Sequence, residues 1–170
     1  MASFFSASLA HQFKKAVFVC GFLFLSTPLQ ADPGPESPFL GFSGHWSGSG
    51  TITMTDGTAE RIRCRASYSV YETGRALQQT LRCASESYRL EISSNVMSAG
   101  GSLSGSWSEA TRGVSGSISG RASGSEIVAN VVGGSFTARL DVHTHGDRQS
   151  VSIRPQGTDV AAVSITLHKG

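Results

Sequence analysis

The chain has 170 residues, enough for one domain with a buried core, and 15% of them are charged. Its formal charge of +2 includes two lysines near the start, Lys14 and Lys15, so the rest of the chain is close to neutral. A neutral chain lacks the concentrated positive field that general nucleic-acid binding requires, and we expect no nucleic-acid partner.

Residues 1–31 have the pattern of a signal peptide. The two lysines precede an apolar run over residues 16–25, and cleavage is predicted after Ala31. The apolar run is short for a membrane span, so no transmembrane span is expected after its removal. The sequence therefore predicts a periplasmic or secreted protein.

A Pro-rich stretch over residues 32–40 is interpreted as a linker, and residues 41–170 as the folded domain. In the domain, apolar and polar residues alternate with the period of two that is typical of half-buried strands. The sequence does not fix the oligomeric state.

The first strand is predicted over residues 44–55, with Trp46 on its apolar face. A three-residue turn at Asp56-Gly57-Thr58 leads into the next strand. This turn would place Trp46 opposite Tyr68.

Residues 61–84 are predicted to form a hairpin that carries two cysteines. Apolar or small residues alternate there with Arg, Ser and other polar residues. A two-residue loop at Thr73-Gly74 places Cys64 directly opposite Cys83 on the apolar face. We therefore predict a Cys64–Cys83 disulfide, which persists in the oxidising compartments that exported proteins reach.

The alternation continues to the C-terminus, interrupted by a loop over residues 95–100 and by short turns. The turns at Arg112-Gly113 and Gly133-Gly134 would pair Glu109 with Gly116 and Ala129 with Ala138. The loop over residues 145–148 would pair Val142 with Val151.

The domain is thus predicted to be all-β, an antiparallel up-and-down meander of about ten strands. A meander of this length has two exposed edges unless it closes, so we expect a barrel, with a two-sheet sandwich as the alternative. An outer-membrane barrel would turn its apolar face to lipid. This apolar face is rich in glycine and alanine and has no aromatic girdles, so we expect it to face inward.

Small residues are frequent on the predicted inward face. They are Gly48, Gly50, Ala66, Gly105, Gly116, Gly120, Ala122, Ala129, Ala138 and Ala161. They either let the strands coil tightly around large side chains or line a cavity for a small apolar ligand. The candidate ligand-binding residues of the interior are Trp46, Tyr68, Tyr88, Trp107, Glu109 and Phe136.

Gly44-His45-Trp46, at the start of a meander, resembles the Gly-x-Trp motif of the calycin barrels, which include lipocalins, avidins and fatty-acid-binding proteins. The following residues 48–53 are similar to an avidin first strand, and a second Gly-Ser-Trp occurs at residues 105–107. The resemblance implies a binding barrel without enzymatic activity. In lipocalins the first-strand Trp packs under a late-strand Arg, for which Arg154 is the nearest candidate. The chain as a whole also resembles small exported proteins of Gram-negative bacteria.

The sequence holds few candidates for chemistry. Glu109 is the one acid placed on the inward face, either as a ligand anchor or acid–base group, or as a solvated residue at the barrel rim. His143 and His145 share a face and could form half of a metal site, but zinc needs a third or fourth ligand, and a solvated loop end is the favoured interpretation. The sequence contains no Gly-x-Ser-x-Gly, His-Glu-x-x-His or P-loop motif. We expect no catalytic site, no metal and no cofactor.

Arginines cluster on the predicted outward face, at Arg63, Arg65, Arg82 and Arg89. Arg65, Arg82 and Arg89 are predicted to share one row, which could meet an anionic partner or be neutralised by nearby glutamates. The favoured function is non-catalytic binding of a small apolar ligand or a cell-envelope component. The alternative is an interaction module with a filled core and this arginine-rich face; a third hypothesis is an enzyme that uses Glu109.

Overall fold

A computed structural model describes residues 37–170 of the chain. The predicted signal peptide and residues 32–36 lie outside the described residues. Ten strands follow one another: β1 (Gly44–Met54), β2 (Ala59–Tyr71), β3 (Ala76–Ala84), β4 (Arg89–Ala99), β5 (Ser102–Glu109), β6 (Val114–Ser123), β7 (Glu126–Gly133), β8 (Phe136–His145), β9 (Arg148–Gln156) and β10 (Val160–Lys169). A short 3₁₀ turn, Glu72–Gly74, joins β2 to β3.

Each strand pairs antiparallel with the next, and β1 also pairs with β10, so the sheet closes into a barrel. The predicted all-β meander and its closure are confirmed, and the sandwich alternative is wrong. Closure matters energetically because it leaves no strand edge with unpaired backbone groups. Among residues 37–170 no helix has the length and apolar character needed to cross a membrane.

The apolar face of the strands points into the barrel. In β2, Ile62, Cys64, Ala66 and Tyr68 are buried, whereas the arginines and serines between them are exposed. The alternation predicted from the sequence therefore separates interior from exterior, with the apolar set inside.

The cysteine hairpin has the predicted register. Cys64 lies opposite Cys83, Ala66 opposite Leu81 and Val70 opposite Leu77. The Cys64–Cys83 disulfide is present, and both cysteines are buried.

The β1–β2 turn lies one residue earlier than predicted. The Met54 N–H donates to the Thr58 carbonyl oxygen at 2.8 Å, and Gly57 has a φ of 86°. A three-residue hairpin loop favours a glycine in this left-handed region at its last position, which places the loop at residues 55–57. Trp46 consequently lies opposite Ala66, not Tyr68.

Two later registers also differ by two positions from the prediction. Glu109 lies opposite Val114 and not Gly116, because a four-residue loop joins β5 to β6. Ala129 lies opposite Leu140 and not Ala138, since the β7–β8 turn begins at Gly134, with φ of 55°. Shifts by two residues preserve the face of every side chain, so none of these three shifts moves a residue from the inward to the outward face.

The loop predicted over residues 95–100 is wrong, because β4 continues to Ala99 and turns at Gly100 and Gly101, both with positive φ. Ala161 is exposed and not inward, because the pairing of β1 with β10 is irregular where Met54 meets Val160.

Candidate functional site

The barrel encloses an internal cavity of about 190 Å³. Its lining comes from every strand except β1 and from the segment before β1, and it is mainly Leu, Ile, Val and Phe. Three lining residues carry a hydroxyl or amide: Tyr68, Gln79 and Ser94. Tyr68 is the only ionisable residue among them. The cavity is therefore suited to a small, largely apolar and uncharged molecule.

The small inward residues have two different roles. Ala129 and Ala138 line the cavity, whereas none of the five strand glycines of the predicted inward set does. A Cβ at Gly48 or Gly116 would collide with a carbonyl oxygen of the neighbouring strand. The glycines thus permit close approach of strands, whereas Ala129 and Ala138 leave open space.

An aromatic wall crosses β5 to β8 in one row. Trp107 lies opposite Gly116, which lies opposite Gly133, which in turn lies opposite Phe136. The two glycines let the Trp107 ring reach Phe136, with ring centroids 5.5 Å apart. The Trp107 indole N–H donates to the Val132 carbonyl oxygen at 3.2 Å, which fixes the ring.

The segment before β1 covers one end of the barrel. Phe39 is 0% exposed and Phe42 is 3% exposed, and both line the cavity. The Phe39 N–H donates to the Gly74 carbonyl oxygen at 3.1 Å. Phe39, predicted to lie in the linker, belongs to the barrel core.

Trp46 packs behind this end segment. Its indole N–H donates to the Phe42 carbonyl oxygen at 2.7 Å, and its ring meets Tyr68 edge-on at 6.4 Å. Lys169 of β10 lies over the Trp46 ring, with its ammonium 5.6 Å from the centroid. Arg154, the expected partner of Trp46, is instead exposed and lies 3.7 Å from Asp141. The cation that lies over Trp46 is therefore Lys169 of the last strand and not Arg154.

Buried polar groups lie beside the covered end. The Tyr68 hydroxyl donates to Gln149 Oε1 at 2.7 Å, and Gln149 Nε2 donates to Thr144 Oγ1 at 3.0 Å. Burial raises the pKa of the Tyr68 phenol above its ordinary value, and the hydrogen bond to Gln149 offsets this only in part. The phenol therefore remains a protonated hydrogen-bond donor at neutral pH.

The six predicted interior residues are divided between the cavity and its surroundings. Tyr68, Trp107 and Phe136 line the cavity, and Trp46 packs behind it. Tyr88 is half-buried, with its hydroxyl 3.3 Å from Met54 Sδ, away from the cavity lining.

Several lining residues are absent from the predicted ligand-binding set, among them Phe39, Phe42, Gln79 and Ser94. Phe39 and Phe42 were assigned to the linker and the domain start, although two aromatics beside Pro38 are a signal of burial. Ser94 lies directly before the wrongly predicted loop. Gln79 stood among apolar residues in the alternation, and a polar residue on an apolar face is the signal that could have found it.

Glu109 lies outside the cavity lining, at the rim, and is only 5% exposed. It accepts backbone N–H bonds from Glu91 at 3.1 Å, Thr111 at 2.9 Å and Arg112 at 2.7 Å. Desolvation raises the pKa of this carboxyl, but its hydrogen bonds outweigh that effect and the net pKa is lowered. Glu109 thus anchors the β5–β6 loop. It does lie at the rim, but it is not solvated there.

The predicted arginine row is interrupted. Arg65 lies opposite Arg82 as predicted, but Arg82 faces Glu91 and pairs with it at 2.7 Å. Arg89 lies opposite Ala84, two positions from the predicted site, and so shares a row with Arg63. The four arginines therefore form two rows, one of them partly neutralised.

The predicted histidine face is polar and exposed. His143 lies 3.9 Å from Glu126, and the described part of the chain contains no group of three side chains placed to hold a metal ion.

Comparisons with known proteins show the fold. No family model matches the chain, and no curated protein matches it. Several solved structures are similar to this chain. One is the crystal structure of Rv2717c from M. tuberculosis, with a TM-score of 0.63, 12% identity and coverage of 77% of this chain and 94% of the other. Another is the S-type phycobiliprotein lyase CPES from Guillardia theta, with a TM-score of 0.58, 8% identity and coverage of 78% of this chain and 90% of the other. Together with the ten-strand antiparallel closure, these similarities fit the expected calycin-like barrel fold.

Proposed function

We propose that this protein is an exported, non-catalytic barrel that binds a small apolar ligand in its internal cavity. The observation that carries the proposal is the 190 Å³ cavity, whose lining is mainly apolar. A cavity of about 150 Å³ with a similar lining is large enough to bind benzene. The cavity therefore suits a molecule about the size of a substituted benzene ring.

The absence of chemistry is part of the proposal and is supported by the lining residues. A general acid or base needs a pKa near the working pH. Tyr68 is the one ionisable lining residue, and its pKa is raised. One solved neighbour is named a lyase, but at 8% identity this likeness concerns the fold and gives no activity to this chain.

Export is supported by the disulfide, since such bridges persist outside the reducing cytosol. Native mass spectrometry of protein purified from its own host tests both parts together. We expect a chain that begins at Asp32 and carries a small bound mass. A chain that retains residues 1–31 would contradict export.

Binding is tested with α-methylstyrene, a small apolar probe. A ligand at 100 times its dissociation constant raises the free energy of unfolding by about 2.7 kcal/mol. We expect such stabilisation in the wild type and its loss in Ala138→Leu, which fills the cavity. Ala84→Leu, on the exposed face of β3, is the matched control and should keep binding. No binding by the wild type, or equal binding by Ala138→Leu, would contradict the proposal.

A further inference from the structure

The cavity has one polar spot on an otherwise apolar wall. Tyr68 of β2 lies opposite Gln79 of β3, which lies opposite Ser94 of β4. All three line the cavity. The residues two positions away along β3, Leu77 and Leu81, are apolar lining residues too.

The hydrogen bonds of this row leave one donor group free. The Tyr68 hydroxyl donates to Gln149, and the Ser94 hydroxyl donates to Gln79 Oε1 at 3.0 Å. Within residues 37–170, the Gln79 amide nitrogen has no hydrogen-bond partner. Its two N–H groups are therefore available to a molecule in the cavity.

Ser94 determines which end of the amide faces the cavity. Ser94 is 4% exposed, and the hydrogen bond that its hydroxyl makes within residues 37–170 is the one to Gln79 Oε1. Rotating the amide by half a turn would leave that buried proton unpaired, which costs free energy. The nitrogen is thus the end presented to a ligand.

We propose that the ligand of this cavity is a small neutral carbonyl compound whose oxygen accepts a hydrogen bond from Gln79 Nε2. This inference rests on the proposed binding function and specifies the ligand class. A purely apolar ligand would leave the amide N–H groups without a partner. A carboxylate would bury its charge, because no cationic side chain lines the cavity.

Three probes of nearly the same shape test the ligand class: acetophenone, α-methylstyrene, in which a methylene replaces the carbonyl oxygen, and benzoate. The variant is Gln79→Leu with Ser94→Ala, which removes both hydrogen-bonding partners and so avoids an unpaired hydroxyl. Gln78→Leu, on the exposed face of β3, is the matched control.

We expect the double variant to lose about fivefold in acetophenone affinity, the size of one net hydrogen bond, and to bind α-methylstyrene as well as the wild type or better. Benzoate should not bind the wild type at neutral pH. In the wild type, the ¹⁵N-resolved side-chain amide signal of Gln79 should shift with acetophenone and much less with α-methylstyrene.

The outcomes separate this inference from the proposed function. If α-methylstyrene binds the wild type but acetophenone affinity is unchanged in the double variant and the Gln79 signal does not respond to acetophenone, the carbonyl inference is overturned and the cavity function stands. If neither probe binds the wild type, both fall. Should the double variant fail to fold, the amide signal of the wild type alone decides.

Discussion

Two regions of the barrel interior use small residues with opposite results. In the disulfide region, defined as Gly48, Ile62, Cys64 and Cys83, the interior is filled and none of these residues lines the cavity. In the hollow region, defined as Ala129 and Ala138 with the cavity that they face, space remains. Where the backbone of a neighbouring strand lies against a small residue, no space remains. Where no neighbouring atoms take the place of the missing side chain, a cavity is left.

The largest expected effect concerns the disulfide region. Reducing the Cys64–Cys83 bridge, which closes a loop with a sequence separation of 19, should lower the free energy of unfolding by about 3 kcal/mol, because the reduced unfolded chain gains conformational entropy. Urea unfolding of the oxidised and reduced wild type measures this. Cys64→Ala with Cys83→Ala should be insensitive to reductant, and equal midpoints for the two wild-type forms would contradict the prediction.

Enlarging a small side chain should change the free energy of unfolding in opposite directions in the two regions. Gly48→Ala should destabilise by about 2 kcal/mol, because the new Cβ meets the Thr166 carbonyl. Ala138→Val should be neutral or stabilise by up to about 1 kcal/mol, since its methyl groups enter open space. Thermal unfolding compares the two. Gly41→Ala, with nothing near its Cβ, is the control, and a loss for Ala138→Val as large as that for Gly48→Ala would remove the distinction.

The smallest expected effect lies at the rim, apart from both regions. The pKa of Glu109 is lowered in the folded protein from 4.5, so its charged form stabilises the fold fully above that pH and less as the pH falls through the folded value. Glu109→Gln should cost about 1 kcal/mol at pH 7 and remove this part of the acid sensitivity. The free energy of unfolding is measured for the variant and the wild type between pH 7 and 3, and the difference between them removes the contribution of the other carboxyl groups. A difference that does not change with pH would contradict the lowered pKa of Glu109.

Much of the fold could be predicted because strand alternation has a period of exactly two residues. Each register error, at Trp46, Arg89, Glu109 and Ala129, was a shift by two, which changes the partner and not the face. The cysteine hairpin kept its register although its loop is longer than the predicted two residues, because the observed loop over residues 72–75 has the same centre as Thr73-Gly74.

The candidate site was predicted less completely. Tyr68, Trp107 and Phe136 were found because large aromatics on an inward face must pack inside. Phe39 was missed because the proline-rich composition of residues 32–40 predicted a linker, although this residue packs into the end of the barrel. Gln79 and Ser94 form a pair only through the register of two strands, and that register shifts when the following loop is misplaced.

The sequence by itself determined the strand meander, the sorting of side chains between two faces and the pairing of Cys64 with Cys83, because all three follow from local periodicity and short turns. Only the tertiary structure decided that β1 meets β10, that the apolar face lies inside, and that Ala129 and Ala138 border a cavity while the inward glycines do not. These features depend on how closely strands that are far apart in the sequence approach one another in space. The alternation of residues within one strand does not determine that spacing.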